Sequence, residues 1–541
     1  MNLRTLKAPA VAAALLFLAA AGCTDPTVAP KSTVTSANIW SDANSYQAYM
    51  AKMYGALVLT GQRGPDGSPD LAQIDEGTSE FLRLSWYMQE LPTDEAVIGW
   101  GDPGVPELNK WQWASNNTIT VAMYYRVYYL AVLANEFLRQ TTAAALASRN
   151  NVTPALRTTI QQYRAEARFL RAFAYWAGID FFGGIPLVTE ADPIGGPPPK
   201  QVTRDSMYRY IVSELVAAKD SLPAKSASTY GRATPMAAHM LLANLYLNAK
   251  VYTGTANDAG ALTEAQTVIA SAQYSLNTVF RNNFTADNNL SPEFIFALLQ
   301  DGSRTQTWGG MTFLVHAGCG GNMKASDFGM DYCWGGYRIK QQARRLFGTD
   351  PRGSFIYDSA AARVAGDTNT SGVANVKDSV ISIGNFAHGA AAPKFTNKTS
   401  TGSGGSQLTM IDADFPVFRL AEAYLIYAEA AVRTNTNLAT AMGYFNLLRE
   451  RAYGNTTADL TSTAQMTLDT ILAERGRELL FEGKRRTDLV RFGYFAGAGD
   501  RLWAWKGNQP GGVTMSANYN LYAIPANELA LNPNITQNPG F

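Results

Sequence analysis

Charged residues and histidines are scarce in this chain of 541 residues. Asp, Glu, Lys and Arg make up 16% of it, against about a quarter in an average protein. The 45 basic and 44 acidic residues nearly balance. This balance argues against a nucleic-acid partner, because proteins that bind nucleic acids present a basic face or a high pI. The histidines His239, His316 and His388 are scattered and support neither a His-based triad nor a metal cluster.

Long apolar runs are also lacking after the first residues of the chain. Arg4 and Lys7 precede an apolar run from Ala8 to Ala21, which ends at Gly22-Cys23. The run is shorter than the roughly 20 residues that a membrane-spanning helix needs, and its layout is that of a signal peptide. We therefore expect residues 1–22 to be a signal peptide. The alternatives for Cys23 are lipidation, as in a bacterial lipobox, and an ordinary secretory signal in which it has no special role.

The mature chain has a polar start and a second pair of cysteines. Residues 23–37 contain two prolines and no periodicity, which predicts a flexible tether. Cys319 and Cys333 are the cysteines left once Cys23 carries lipid. An even pair in an exported protein indicates a disulfide. A metal site with His316 is the weaker alternative, because the short spacing typical of zinc ligands is missing, and two free thiols are the third.

Helical patterns dominate two parts of the chain, and the part between them is different in character. Apolar residues recur at spacings of three and four, which predicts helices. Their succession in pairs suggests an α-solenoid or a tetratricopeptide-like frame, but the sequence has no clean 34-residue consensus, so periodicity alone predicts only a helical protein. From 281 to 410, Gly, Asn, Ser and Thr with isolated aromatics replace these patterns. We predict a helical region 38–280, a loop-rich lobe 281–410 and a helical region 411–541. The predicted helices are Ile119–Thr141, Pro154–Phe182, Thr234–Leu247, Phe415–Arg433, Ala439–Ala452 and Thr467–Phe492.

Five stretches, in the right order, resemble the SusD/RagB family. RAEARFLRAFAYWAGIDFFGGIPLVT at 164–189 resembles the family's long helix and its exit, and ATPMAAHMLLANLYLNA at 233–249 resembles the next helix. FPVFRLAEAYLIYAEA at 415–430 and ILAERGRELLFEGKRRTDLVRFG at 471–493 resemble two C-terminal signatures. LYAIPANELALNPNITQNPGF at 521–541 resembles the characteristic chain end. The sequence departs from the family at Arg486-Thr487, where an aromatic pair is usual.

The resemblance implies a mainly α, SusD-like protein: a tetratricopeptide-like scaffold with an irregular lobe that bears the ligand surface. It implies nutrient capture at the outer membrane by a lipid-anchored, surface-exposed protein. The ligand would be an oligosaccharide, or a peptide. The implied partner is a SusC-like, TonB-dependent transporter barrel over which the protein sits as a lid.

Two aromatic-rich segments are candidates for the ligand surface, and in the family the first follows a motif like Thr93-Asp94-Glu95. Rings of Trp and Tyr suit the apolar faces of sugars, and Asn or Asp fixes the hydroxyls. Packing in the core is the alternative for each ring. Trp100 and Trp334 stand out, because each is flanked by glycine. The candidate ligand-binding residues are Trp86, Trp100, Asp102 and Trp111 in the first segment, and Trp308, Asn322, Tyr332 and Trp334 in the second.

A row of carboxylates at Glu474, Glu478 and Glu482 suggests catalysis at first sight, since paired carboxylates hydrolyse glycosides across an open cleft. The arginines around the row favour an ion-pair network that holds helices together. No nucleophile elbow, Walker A loop or dinucleotide fingerprint occurs in a suitable context. We therefore predict a non-catalytic protein without cofactor or metal. The alternatives are a glycan-active hydrolase on a helical frame and a structural lid without ligand specificity.

Overall fold

Residues 39–357, except 66, 73 and 76, and residues 380–541 are described by the computed structural model. The predicted signal peptide 1–22, Cys23 and the rest of the tether 23–37 lie outside the described residues. Within the described ranges, every helix falls short of the length and apolar character needed to cross a bilayer.

The long helices begin and end where local sequence signals direct. Thr153 caps the helix Pro154–Phe182 by accepting a hydrogen bond from Leu156 N, and Pro154 occupies its first position. Gly183 ends this helix with a φ of 73°, a conformation that glycine adopts without steric cost. Asn117 caps the helix Thr118–Gln140 in the same manner. Caps of this kind stabilise a helix by about 1 kcal/mol.

The described residues form seventeen α-helices, shorter 3₁₀ turns and six short strands. The α-helices are Ser45–Gly55, Phe81–Glu90, Val105–Lys110, Thr118–Gln140, Ala143–Ala147, Pro154–Phe182, Arg204–Ala218, Pro235–Leu247, Ala249–Thr253, Asp258–Ala270, Gly310–Ala317, Gln341–Phe347, Leu420–Thr434, Leu438–Tyr453, Leu468–Glu478, Arg485–Arg491 and Ala526–Leu531. The 3₁₀ turns are Ile39–Ser41, Lys219–Ser221, Ala227–Thr229, Phe280–Phe284, Asn288–Leu290, Ala325–Phe328, Pro351–Phe355, Thr463–Gln465, Lys506–Asn508 and Ala517–Asn520.

Helices that follow one another in the chain pack as neighbours. The helix Pro154–Phe182 contacts both Thr118–Gln140 and Arg204–Ala218. The helix Asp258–Ala270 contacts Pro235–Leu247 and also Leu420–Thr434, so the N-terminal and C-terminal helices form one continuous scaffold. The prediction of a mainly α fold built from helix pairs is confirmed.

The six strands form three antiparallel pairs, two of which join distant parts of the chain. Ala96–Ile98 pairs with Tyr337–Ile339, with Ile98 opposite Tyr337. Phe294–Leu298 pairs with Phe415–Arg419. The third pair is Gly61–Arg63 with Gly67–Pro69.

The predicted helix Phe415–Arg433 is wrong in its first turn. Residues Phe415–Arg419 are a strand, and the helix is Leu420–Thr434. All five strand residues are buried, and the pairing with Phe294–Leu298 supplies backbone hydrogen bonds that a helix would otherwise supply. A short apolar run cannot be assigned to helix or strand by its periodicity alone.

The predicted helix Thr467–Phe492 is also wrong, because the chain forms two helices, Leu468–Glu478 and Arg485–Arg491, with a break between them. Phe481 within the break has a φ of 61°, which is costly for a residue with a side chain. The neighbouring Gly483 has a φ of 69°. Both residues form hydrogen bonds with side chains from residues 86–95.

Side chains from distant segments satisfy the backbone groups that the break leaves without helical partners. Phe481 N donates to Glu95 Oε2 at 3.0 Å, and Phe481 O accepts from Trp86 Nε1 at 3.1 Å. Gly483 N donates to Glu90 Oε1 at 2.8 Å. Lys394 Nζ donates to Leu480 O at 2.7 Å. Buried backbone groups need such partners, so these contacts hold the break in place.

A buried ion cluster lies beside this break. Arg419 Nη1 is 2.6 Å from both Glu293 Oε1 and Glu478 Oε1, and Arg419 Nε is 2.7 Å from Glu482 Oε2. Arg352 pairs with Glu474 at 2.5 Å and with Glu478 at 2.7 Å. We define the cluster by its charged members, which are Glu293, Arg352, Lys394, Arg419, Arg451, Glu474, Glu478 and Glu482.

Arginines within and beside the cluster keep its carboxylates ionised despite burial. Burial alone would raise the pKa of Glu474, but Arg352, Arg477 and Arg449 lower it to about 2. The pKa of Glu478 is held well below its usual range, because Arg451, Arg419 and Arg352 outweigh its burial. Glu474, Glu478 and Glu482 thus form the ion-pair network that the sequence predicted.

Replacing Arg419 with methionine is expected to lower the free energy of unfolding by about 3–5 kcal/mol, because it strands buried carboxylates without their partner. Urea denaturation followed by circular dichroism measures the change. Arg209→Ala is the matched control, since the Arg209 side chain is 75% exposed where it pairs with Asp205, and its removal should leave the midpoint unchanged. Equal midpoints for both variants and the parent would contradict a central role for the cluster.

Candidate functional site

Strand pairing brings the two aromatic segments of the sequence together. Trp100 lies two residues after the strand Ala96–Ile98, and Trp334 lies three residues before its partner Tyr337–Ile339. The pairing continues one step further, with Gly99 N donating to Gly336 O at 3.3 Å. Two tryptophans more than two hundred residues apart in sequence therefore become neighbours.

Three aromatic rings gather around Trp334 at the surface. The ring centroid of Trp334 is 6.1 Å from that of Trp100, 6.3 Å from that of Trp308 and 6.3 Å from that of Tyr332. Tyr332 is 47% exposed, and the three tryptophans are partly exposed. We call Trp100, Trp308, Tyr332 and Trp334 the aromatic platform. All four were candidates from the sequence.

The helix Gly310–Ala317 supports the platform from behind, with every residue buried. Its last carbonyls accept hydrogen bonds from the platform segment: His316 O from Trp334 N at 2.9 Å, and Ala317 O from Gly336 N at 3.0 Å. Cys319, just after the helix, forms a disulfide with Cys333, and their Cα atoms are 5.0 Å apart. The platform segment is therefore attached to this helix by backbone hydrogen bonds and by a covalent bond.

Gly336 allows the close approach of Trp100. A Cβ atom at Gly336 would lie 2.7 Å from Trp100 Cζ2 and 2.8 Å from Ala317 Cβ. Real Cβ atoms do not come so close to ring carbons, so any side chain at this position would displace the indole.

Arg83 and Glu80 lie beneath the platform, and the sequence did not single out either. The Arg83 guanidinium is 4.5 Å from the Phe313 ring centroid and 5.6 Å from that of Trp100. It also donates to Trp308 O at 3.3 Å. Glu80 caps the helix Phe81–Glu90 and accepts a hydrogen bond from Gly310 N. Burial raises the pKa of Glu80 to about 7.

Trp86 and Trp111 lie in the core rather than on the platform, and each is 1% exposed. Trp86 Nε1 donates to Phe481 O at 3.1 Å, and Trp111 Nε1 donates to Pro92 O at 2.8 Å. The structure gives both a packing role in place of the predicted ligand contact, because their rings are enclosed by other side chains. Asp102 and Asn322 are both exposed. Asp102 lies two residues after Trp100, and Asn322 lies in the loop that the disulfide closes.

Thr93-Asp94-Glu95 joins the scaffold and not the exposed rings. Asp94 accepts hydrogen bonds from Arg485 at 2.7 Å through both carboxylate oxygens. Thr93 and Glu95 are buried. The motif fixes the strand Ala96–Ile98, which follows it, against the helix Arg485–Arg491.

Clefts elsewhere on the surface carry acidic side chains. One of about 680 Å³ is lined by Asp301, Asp412 and Asp414, among others. Asp412 Oδ1 accepts from Gly302 N at 2.7 Å, and Asp414 Oδ1 accepts from Gln300 N at 2.7 Å. These carboxylates anchor loop backbone. Across the described part of the chain, His, Cys, Asp and Glu nowhere group in threes that could hold a metal ion.

The molecule is a mainly α, helical-repeat protein with an aromatic surface on its loops, and comparisons with known proteins refine that class. A model of the SusD family matches residues 292–541, and one described as starch-binding, associating with outer membrane, matches residues 87–247. The starch-binding protein SusD of Bacteroides thetaiotaomicron is 34% identical over 533 residues, 92% of each chain. A SusD-like protein of Bacteroides ovatus is 26% identical over 71% of this chain and 67% of its own. The chain belongs to the SusD family, as its motifs predicted.

Solved structures share the fold. Surface glycan-binding protein A from Bacteroides thetaiotaomicron, solved with laminarihexaose, has a TM-score of 0.69 and 21% identity, and the match covers 91% of this chain and 98% of that one. A SusD superfamily protein from the same species has a TM-score of 0.68 and 19% identity, over 92% and 99% of the two chains. At these identities the similarity shows the architecture, including its tetratricopeptide-like helix pairs.

Gly336→Ala is expected to lower the free energy of unfolding by about 1–3 kcal/mol, as overpacking does, and to alter the near-ultraviolet circular dichroism as Trp100 moves. Gly101→Ala is the matched control, because a Cβ atom there meets nothing within 4 Å. If the two variants gave the same spectrum and stability, the close contact at Gly336 would not be what positions Trp100.

Proposed function

We propose that this protein captures oligosaccharides on the aromatic platform without transforming them. The observation that carries the proposal is the cluster of four partly exposed rings centred on Trp334, with centroid separations of 6.1–6.3 Å. Single exposed aromatics are common on protein surfaces, but a contiguous exposed patch indicates an interaction site.

The chemistry of the platform suits a sugar chain. Each ring offers a broad apolar face against which the C–H groups of a pyranose can pack, and Trp and Tyr lose little conformational entropy on binding. The rings are tilted by 39–49° to Trp334, so together they follow a curved ligand better than a flat one. Asp102 and Asn322 are exposed near these segments and supply polar groups for hydroxyls.

The relatives support the same class of ligand. One relative, which this chain matches along 92% of its length, is named for starch binding. A structural neighbour was solved with laminarihexaose. Starch and laminarin are both glucose polymers, and the platform's apolar faces favour no single linkage, so we propose oligosaccharides as the class and test both linkages.

The rival proposal is a glycan-active hydrolase. It requires two free carboxylates that flank an open cleft. Glu474, Glu478 and Glu482 are buried among arginines, and Asp412 and Asp414 are engaged with loop backbone. Neither set suits this chemistry, and we therefore favour capture.

We also propose that the protein is lipid-anchored through Cys23 on the cell surface and delivers its ligand to a SusC-like, TonB-dependent barrel. The support is the signal-peptide layout before Cys23 and the outer-membrane association named by the matching family model. Anchoring near a barrel would raise the local concentration of each partner for the other. The remaining alternative is a structural lid whose rings face the barrel.

Trp334→Ala is expected to raise the Kd for an oligosaccharide about tenfold or more, which corresponds to about 1.4 kcal/mol, because it removes the central ring. Isothermal titration calorimetry with maltohexaose and laminarihexaose on residues 24–541 measures this change. Tyr444→Ala is the control, since Tyr444 stacks on Tyr424 within the helical repeats and its loss should leave Kd unchanged.

Three results would count against capture at the platform. The first is wild-type binding that Trp334→Ala leaves unchanged. The second is the appearance of shorter sugars during incubation, which would favour the hydrolase. The third is loss of barrel association in Trp334→Ala without any glycan affinity in the parent, which would favour the structural lid.

Cys23→Ser is expected to move the protein from the outer-membrane fraction to the soluble fraction, because the thiol that accepts the lipid is gone. Immunoblots of fractionated cells measure the distribution, and Cys319→Ser is the control for loss of a cysteine elsewhere. Retention of the Cys23→Ser protein in the membrane would contradict anchoring at this residue.

A further inference from the structure

His316 is buried directly behind the aromatic platform. It lies at the end of the helix Gly310–Ala317 and is 0% exposed. Its ring stacks on Trp334, with centroids 4.8 Å apart and planes 24° apart, and lies 5.3 Å from the ring of Tyr332. The imidazole is therefore the surface on which two of the platform's rings rest.

Both nitrogens of His316 face backbone carbonyls. Nδ1 is 2.8 Å from Tyr332 O, and Nε2 is 3.0 Å from Thr409 O. Carbonyl oxygens only accept hydrogen bonds, whereas a neutral imidazole has one N–H and one lone pair. The two contacts can both be hydrogen bonds only when both nitrogens carry protons. In the neutral ring, one lone pair would face a carbonyl oxygen.

Burial and the polar and charged groups around the ring determine the pKa of His316. Burial lowers the pKa of His316 below its ordinary value, while the two carbonyls and Asp331 act to raise it. Asp331 Oδ1 lies 4.0 Å from Nδ1, and Asp331 Oδ2 accepts from Thr409 Oγ1 at 2.6 Å. Two further titratable groups lie beneath the platform: Arg83, which contacts Trp100, and Glu80, which accepts from Gly310 N and whose pKa burial raises to about 7. Glu80 is unchanged in His316→Gln, so any pH dependence that this variant keeps belongs to Glu80 and not to His316. The Cys319–Cys333 disulfide does not titrate.

We propose that His316 is a positioning residue of the aromatic platform, and that its proton links oligosaccharide binding to pH. The protonated ring donates to Tyr332 O and Thr409 O at once, and so joins the platform segment to the segment around Thr409. Its charge also attracts the Trp334 ring that it stacks on, as cations do over indoles. Loss of the proton releases one carbonyl and loosens the platform. This inference rests on the proposed function.

The sign of the pH dependence follows from these contacts. The arrangement that binds sugar holds the proton, and burial keeps the pKa of His316 low. Affinity should therefore be high in mildly acidic solution and fall as the pH rises through the pKa of His316. By linkage, a bound sugar raises that pKa and binding takes up protons.

The first experiment needs no ligand. Long-range ¹H–¹⁵N spectra of the ¹⁵N-histidine-labelled protein report the protonation of each imidazole nitrogen, and the chain has three histidines in all. The signal that disappears in His316→Gln belongs to His316. We expect two protonated nitrogens at pH 5 and one at pH 8. A single protonated nitrogen at pH 5 in the folded protein would overturn the proposal.

The second experiment measures the Kd for maltohexaose and laminarihexaose by calorimetry at pH 5 and pH 8. We expect the parent's Kd to be at least about fivefold lower at pH 5, within the usual range of coupling between sites. His316→Gln should bind as weakly at pH 5 as at pH 8. His239→Gln is the matched control, since His239 pairs with Glu264 in the helical scaffold, and it should keep the parent's pH dependence.

The outcomes separate this inference from the proposed function. Equal Kd values for the parent at both pH values, or an unchanged pH profile in His316→Gln, would overturn the role of His316 and leave oligosaccharide capture intact. Absence of binding by the folded parent at both pH values would overturn capture itself, while the spectra still test the protonation of His316. If His316→Gln does not fold, Asp331→Asn replaces it, and the pH at which affinity falls should then move lower.

Discussion

The break between the helices Leu468–Glu478 and Arg485–Arg491 is the constraint on which the remaining structure depends. A chain that leaves helical geometry in the core exposes buried N–H and C=O groups, and each must find another partner. Here the partners are Trp86, Glu90, Glu95 and Lys394, which come from two distant parts of the sequence. The hydrogen bonds at the break therefore hold these segments together.

Packing contacts connect the break to the aromatic platform. Trp86, whose indole donates to Phe481 O, has its ring 5.1 Å from that of Tyr337 and 5.4 Å from that of Phe313. Tyr337 begins the strand that aligns Trp100 with Trp334, and Phe313 packs against Trp100 at 5.8 Å. The buried ion cluster secures the break, the break secures Trp86, and Trp86 lies against the elements that carry the exposed rings. An aromatic surface can stay rigid in this way although its rings face solvent.

Local signals made the long helices predictable, and distant contacts made the rest unpredictable. Thr153 and Gly183 bound the helix Pro154–Phe182 within its own sequence, and the predicted bounds are those observed. The break at Phe481 has its cause in Trp86 and Glu95, nearly four hundred residues earlier, and no helical pattern can contain it. Trp86 and Trp100 likewise belong to one aromatic-rich segment, yet one is enclosed and the other partly exposed. Glycines beside Trp100 and Trp334 were the useful signal, because Gly336 leaves space for the Trp100 indole.

Polar groups behind the platform explain how its faces can remain apolar. Rings that bind sugar by their faces must be oriented before the ligand arrives, since ordering them during binding would weaken it. Polar groups on the ring faces would compete with the sugar hydroxyls. Here His316 O and Ala317 O instead accept hydrogen bonds from the backbone N–H groups of Trp334 and Gly336, behind the rings. The imidazole of His316 adds a contact from the same side. Orientation is thus supplied from within the protein, and in the proposed function the choice among sugars is left to exposed polar side chains of the same two segments, such as Asp102 and Asn322.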